Sequence, residues 1–113
     1  MNPVQYRNVT NYISGGAFSG DLTGDTIDAA QFTHVSMTVV NTATGTTVGN
    51  IYIQFSDDDT NWVSGSGTAT AAINGGETNW LHHEVAARYV RFFFDHTSAG
   101  SGATGSVAYT LKS

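Results

Sequence analysis

The chain has no cysteine, a single proline and only four basic residues, and each shortage removes a class of protein. Without cysteine there are no disulfides, no thiolate metal sites and no cysteine nucleophile, so stability has to come from packing or from association. Arg7, Arg88, Arg91 and Lys112 stand against nine acids, a formal charge of −5. That leaves no basic stripe to neutralise a run of phosphates and argues against nucleic acid as a partner. No apolar run approaches the length that crosses a bilayer, and "MNPVQYRNVT" lacks the apolar core of a secretion signal. The expectation is a soluble chain made in a reducing compartment, with no membrane partner. Leucine, on which most helices lean, occurs only at Leu22, Leu81 and Leu111.

Glycine, serine, threonine, asparagine and alanine are abundant, and Val, Ile, Tyr and Phe supply most of the large apolar side chains, as in short strands joined by many turns. In "QFTHVSMTVVN" Val35, Met37 and Val39 fall on one face and Phe32, His34, Ser36 and Thr38 on the other, the pattern of a half-buried strand. "VGNIYIQFS" groups Ile51, Ile53 and Phe55 with Tyr52 and Gln54 opposite, and "NTATGTTVGN" between the two runs reads as hairpin-loop material, so these strands are expected to pair antiparallel. A second hairpin is expected from "GTATAAIN" and "ETNWLHHEV", joined at Asn74-Gly75-Gly76. "ARYVRFFFDH" sets Val90, Phe92 and Phe94 on one face, and "GSVAYTLKS" is a last strand reached through the glycine-rich "TSAGSGATG". "VQYRNVTNYI" is a strand or an extended arm. The fold expected is all-β: an antiparallel two-sheet β-sandwich, jelly-roll-like, of about 7–8 strands. It forms one domain over residues 1–113, the alternative for its start being an extended N-terminal arm at about residues 1–15.

The run Asp57-Asp58-Asp59 followed by Asn61 has three readings: a calcium loop, an acid/base pair or a turn. A calcium-binding EF-hand loop requires glycine at its sixth position and a bidentate glutamate at its twelfth. Trp62 and Thr68 occupy those positions here, so that reading fails. Asp57, Asp59 and Asn61 remain candidates only for a looser calcium site built with distant groups. The leading reading is a turn between strands, with Trp62 tucked back over the sandwich edge. As a glycosidase pair the aspartates are crowded into one turn instead of facing across a cleft.

"HHE" is the other fragment with catalytic residue types. On a strand His82 and Glu84 share one side and His83 faces the other, so the two histidines cannot converge on one metal without His34 or His96. His82 and His83 read instead as an exposed or interface pair. No nucleophile elbow surrounds any serine. No catalytic residue and no cofactor site is expected. On the "RFFF" strand Phe93 is left beside Tyr89 and Arg91 on the face away from the core, and arginine among aromatics is the composition of a protein contact. Trp62, Trp80, Tyr52 and Tyr89 offer a second use, as platforms for sugar rings.

"QFSDDDTNW", "ARYVRFFF" and "GATGSVAYTL", in that order, resemble small β-sandwich structural modules of bacteriophage virions. In those modules a strand ending in S-N/D-D-G-x-N-W is followed by Y-R-Y-V-R and by a closing strand after a Gly/Ser/Thr loop. The resemblance spans roughly residues 49–112, and Asp59 stands where glycine is common. The same signatures occur in discoidin-like carbohydrate-binding domains, which are longer chains. The virion resemblance implies a capsid decoration or cement protein, or a short head or tail appendage, located in the virion after assembly in the host bacterial cytoplasm. It implies the major capsid protein or other virion proteins as partners, and a homo-oligomer, a trimer by analogy with decoration proteins on threefold axes. The contact residues would be Tyr89, Arg91, Phe93, His82 and His83. The alternative, a discoidin-like carbohydrate-binding module, would hold a glycan with Trp62 or Trp80 and the loop aspartates.

Overall fold

The computed structural model describes residues 4–18, 20–42, 47–99 and 104–113. Ten strands run through them: β1 (Tyr6–Ala17), β2 (Leu22–Thr23), β3 (Ile27–Asp28), β4 (His34–Asn41), β5 (Thr47–Ser56), β6 (Val63–Ser64), β7 (Thr70–Ile73), β8 (Thr78–Glu84), β9 (Tyr89–Ala99) and β10 (Thr104–Lys112). A 3-10 turn, Gly67–Ala69, is the one helical piece among the described residues. The first sheet has the order β1-β10-β4-β8 and the second β2-β9-β5-β6, with β3 also on β9 and β7 also on β5, and every pairing is antiparallel. β2 and β3 lie end to end along β9, opposite Phe94–Phe93 and Val90–Tyr89, and β6 and β7 likewise share one edge of β5. Counting each broken strand once gives eight positions, four in each sheet. Counted this way, with β2/β3 and β6/β7 each one position, successive strands change sheets except from β5 to β6/β7, which is jelly-roll topology.

The alternation read from sequence builds the core. Val35, Met37 and Val39 of β4, with Val107, Tyr109 and Leu111 of β10, face Ile51, Ile53 and Phe55 of β5 and Val90, Phe92 and Phe94 of β9, all buried. Phe18 closes one end, its ring stacked 4.7 Å from that of Phe94. The same ring lies where a Cβ on Gly105 of β10 would stand, so that strand position has to be glycine.

Both expected hairpins are corrected. β4 pairs with β10 and β8 while β5 pairs with β9, so the two strands belong to opposite sheets instead of pairing with each other. Each has one wholly apolar face, and the connection carries one face over to cover the other; residues 43–46 of that connection lie outside the described residues. The reversal at Asn74-Gly75-Gly76 is present, tied by Gly76 N–H to the Asn41 carbonyl at 2.9 Å, but it joins β7 of the second sheet to β8 of the first. The glycine-rich loop before β10 includes residues 100–103, outside the described residues. The stretch considered as an arm is strand β1 from Tyr6 onward, laddered on β10 from Tyr6 opposite Lys112 to Ala17 opposite Thr104; Met1–Pro3 lie outside the described residues. Beyond the ladder's end Ser113 N–H donates to the Gln5 carbonyl (2.9 Å) and Gln5 N–H to the Ser113 hydroxyl (2.8 Å).

One side chain explains why the second sheet's edge strand is broken. The register of β1 slips between Val9 and Ile13, and Tyr12, inside that bulge, reaches across to the other sheet. Its hydroxyl donates to the Asp25 carbonyl (2.5 Å) and accepts from Phe92 N–H (3.3 Å), while Gly24 N–H donates to the Phe92 carbonyl (2.8 Å). The hydroxyl thus takes the place of the strand carbonyl that Phe92 N–H would otherwise meet. A Cβ on Gly24 would coincide with this hydroxyl, so β2 and β3 part around a glycine. The ring packs edge-on to Tyr109 at 5.0 Å.

Tyr12→Phe should therefore strand the Phe92 N–H in the interior and lower stability by about 1–3 kcal/mol, read as a fall in urea midpoint at unchanged slope. Burial pushes the Tyr12 hydroxyl above its ordinary pKa near 10. The neutral form is then favoured by folding: its contribution is complete below pH 10 and is lost as pH rises from there through the folded value. The wild-type midpoint should fall between pH 9 and 11 more than that of Tyr12→Phe; equal falls would contradict this role.

Candidate functional site

The aspartate run closes the β5–β6 hairpin, the single place among the described residues where neighbouring strands pair directly. Its organiser is Asp58. One carboxylate oxygen accepts from the N–H groups of Thr60 (2.9 Å) and Asn61 (2.8 Å) and from the Ser56 hydroxyl (3.0 Å), and the other accepts from the Asn61 side-chain amide (2.8 Å). The hydroxyl of Ser56, which is buried, in turn accepts from the N–H groups of Asp58 and Asp59. These donors, the Asn61 and Thr60 amides first, hold the Asp58 carboxyl well below the usual carboxylate range. Asp59 has φ of 60°, the left-handed region that Gly, Asn and Asp tolerate, which explains why glycine stands there in the resembling pattern. Its carboxylate accepts from the Thr26 hydroxyl at 2.5 Å. Of the calcium candidates, then, Asp59 turns to Thr26 and the Asn61 amide to Asp58, and no trio of His, Asp or Glu among the described residues is arranged to hold a metal.

Trp62, next in the hairpin, does not merely close the sandwich edge. It lies on the outer face of the second sheet with the Arg91 guanidinium 4.2 Å from its ring centre. Arg91 Nε donates to Gln54 Oε1 (2.8 Å) and Gln54 Nε2 to the Ser64 hydroxyl (3.0 Å), so the guanidinium is aimed by two neighbours. One row along, Phe93 of β9 stacks on Tyr52 of β5 at 6.4 Å. Tyr89 follows on the same face, with Arg88 5.0 Å from its ring centre and 3.1 Å from Asp28. Tyr52, Trp62, Tyr89, Arg91 and Phe93 are all half-buried within the chain. Three of the five expected contact residues therefore share one aromatic–arginine face.

The other two do not join it. His82 points out from the first sheet, its ring 4.7 Å from that of Trp80. His83 turns the opposite way into a cleft of about 520 Å3 at the hairpin end, against Phe55 and with Nδ1 2.7 Å from the Glu84 carbonyl. Alternation along β8 separates them, and the sandwich separates His82 from Arg91. Trp80 and Trp62 likewise lie on opposite outer faces, so they do not form a common sugar platform at one end of the sandwich. Sequence reasoning did not find a groove of about 280 Å3 on the outer face of the first sheet, between Tyr6 of β1 and Trp80 of β8. Outward positions on β4, β8 and β10 were readable by alternation; their adjacency was not, since it depends on the pairing of β10 between β1 and β4.

The Asp58 network implies two outcomes. Chelator should leave the melting temperature unchanged, and a fall restored by calcium would show that the turn holds a metal. Asp58→Asn should lower the urea midpoint at pH 7. Because folding depresses the Asp58 pKa, the carboxylate's contribution is present above the unfolded value near 4 and is lost as pH falls through the folded one. The gap between wild type and Asp58→Asn should therefore narrow below pH 4, and a constant gap would remove the carboxylate charge from the account.

No curated protein gives a significant match to the chain. Solved structures match its fold. The SPBc2 prophage-derived protein YomS is 12% identical, with a TM-score of 0.71 over 100% of this chain and 97% of that one. The PBSX exported protein XepA is 17% identical, with a TM-score of 0.65 over 96% of this chain but 36% of that one. A chain of the T13 IBDV viral particle is 12% identical, with a TM-score of 0.57 over 98% of this chain and 31% of that one. A family model described as a domain of unknown function, DUF6385, matches residues 28–113, from the last residue of β3 through β4 to β10, and the chain belongs to that family.

Proposed function

We propose that this protein is a structural component of a bacteriophage virion, a capsid decoration protein or a short head or tail appendage, that works by burying surface and has no catalytic step. The observation that carries the reading is the outer face of the second sheet, where Phe93 stacks on Tyr52 and Arg91 is fixed between Gln54 and Trp62. Arginine and aromatic side chains are enriched where protein surfaces meet, and side chains already held in place lose less entropy when a partner covers them. The likeness in fold to a prophage-derived protein along nearly all of its length, and to part of a viral-particle chain, supports the same reading. Major capsid protein or another virion protein is the partner proposed, together with further copies of this chain. Many modest contacts repeated over a shell bind tightly through avidity.

A protein inventory of purified particles from the encoding phage should contain this chain at many copies. Added to particles that lack it, wild type should decorate them, and Phe93→Ala and Arg91→Ala should each weaken decoration about tenfold, the usual effect of losing one central contact residue. Light scattering of the protein alone should give a mass above one protomer at micromolar concentration. Absence from the particles would end the virion reading; decoration unaffected by both substitutions would move the contact to another face.

A further inference from the structure

We propose that the outer face of the β1-β10-β4-β8 sheet is a binding site for an acidic glycan, separate from the face assigned to virion contacts. Four large apolar side chains are left exposed among the described residues, and two of them, Tyr6 (66%) and Trp80 (64%), border the same groove. The middle of its floor, Ser36 and Thr110, is small and hydroxylated. Thr110 of β10 stands opposite Ser36 of β4, and Ser36 opposite His82 of β8; in the next row Lys112 stands between Tyr6 and His34. Ring faces at the borders and hydroxyls between them match a sugar, whose C–H faces pack on aromatic rings while its hydroxyls exchange hydrogen bonds with serine and threonine. Across the strands the borders are three strand spacings, about 14 Å, apart, and Trp80, which stands opposite Thr38, is four residues further along β4 than the Tyr6–Lys112–His34 row, so the groove runs diagonally and has room for a short oligosaccharide.

The charge of the groove gives the ligand its sign. The chain as a whole carries −5, yet none of its nine acids lines this groove, while its only lysine, Lys112, lines it with His34 and His82. Glu84 stands beyond His34 in the same row, on the outermost strand. A cationic spot inside an acidic protein repels the protein's own kind of surface and attracts a carboxylate or phosphate. One lysine is too little for the phosphate run of a nucleic acid. An extended peptide finds no main-chain partners on this face, because the backbone groups between β1 and β8 are already committed to the ladders. A sugar bearing an anionic group satisfies both the rings and the charge, and carboxylate and phosphate are equally suited to Lys112.

The full chain is screened on a glycan array carrying uronate, sialate and sugar-phosphate members, each beside its neutral counterpart, and the best acidic member is titrated into wild type and variants. Acidic members should bind at least about tenfold better than their neutral counterparts, the scale of one charge-assisted contact, and the winning class identifies carboxylate or phosphate as the anion. Trp80→Ala and Lys112→Ala should each weaken binding by a similar factor, while Phe93→Ala leaves it intact; Trp80 is exposed, so its variant should keep the wild-type melting temperature. No binding to any acidic member, equal binding to neutral ones, or full binding by Trp80→Ala would overturn the proposal. Decoration of particles should be indifferent to Trp80→Ala, so failure here leaves the virion reading standing.

Discussion

Val35, Met37 and Val39 are buried only because β5 and β9 present a matching apolar face, and with no disulfide in the chain this contact between two sheets carries the fold. It dictates the path of the backbone. A strand whose apolar side is complete gains most when the next strand crosses over to cover it, so the chain alternates between sheets. The exception is the β5–β6 hairpin, closed by Asp58. Even the break between β2 and β3 follows from the closure, since the Tyr12 hydroxyl that ties the first sheet to the second occupies a ladder position in the second.

Alternation along the strands was legible in the sequence because burial imposes a period of two whatever the partner. Val35, Met37, Val39, Ile51, Ile53, Phe55, Val90, Phe92 and Phe94 were each assigned to the buried side, and each is buried. Partner choice was not legible. Asn74-Gly75-Gly76 reverses the chain as such residues do, but the chemistry of a tight turn is the same whether the next strand lies beside the last or above it. The hairpin rule therefore misread two crossings. The site divided in the same way: Tyr89, Arg91 and Phe93 were placed together by periodicity within β9, whereas Tyr6 and Lys112 come from opposite ends of the chain and meet only through a register that no local pattern encodes.

The two outer faces differ in how far the chain has already committed them. On the second sheet, Arg91 and Phe93 are half-buried and held by neighbours, so the face is stiff and suited to a partner of fixed shape. On the first sheet, Trp80 and Tyr6 project into solvent on either side of the lower Ser36 and Thr110, leaving concave room that a flat protein surface would not fill. The cleft at the β5–β6 hairpin end, where His83 lies against Phe55, belongs to neither face, so the two exteriors can differ in this way independently of it.

Gln5 and Ser113 meet at one end of the antiparallel β1–β10 ladder. Tension applied at these two residues loads that ladder's hydrogen bonds one after another, as a zipper opens, instead of all at once in shear. The sandwich is therefore mechanically soft along this axis, whatever its resistance to heat or denaturant. A force transmitted between its broad faces bypasses that ladder and compresses the core instead.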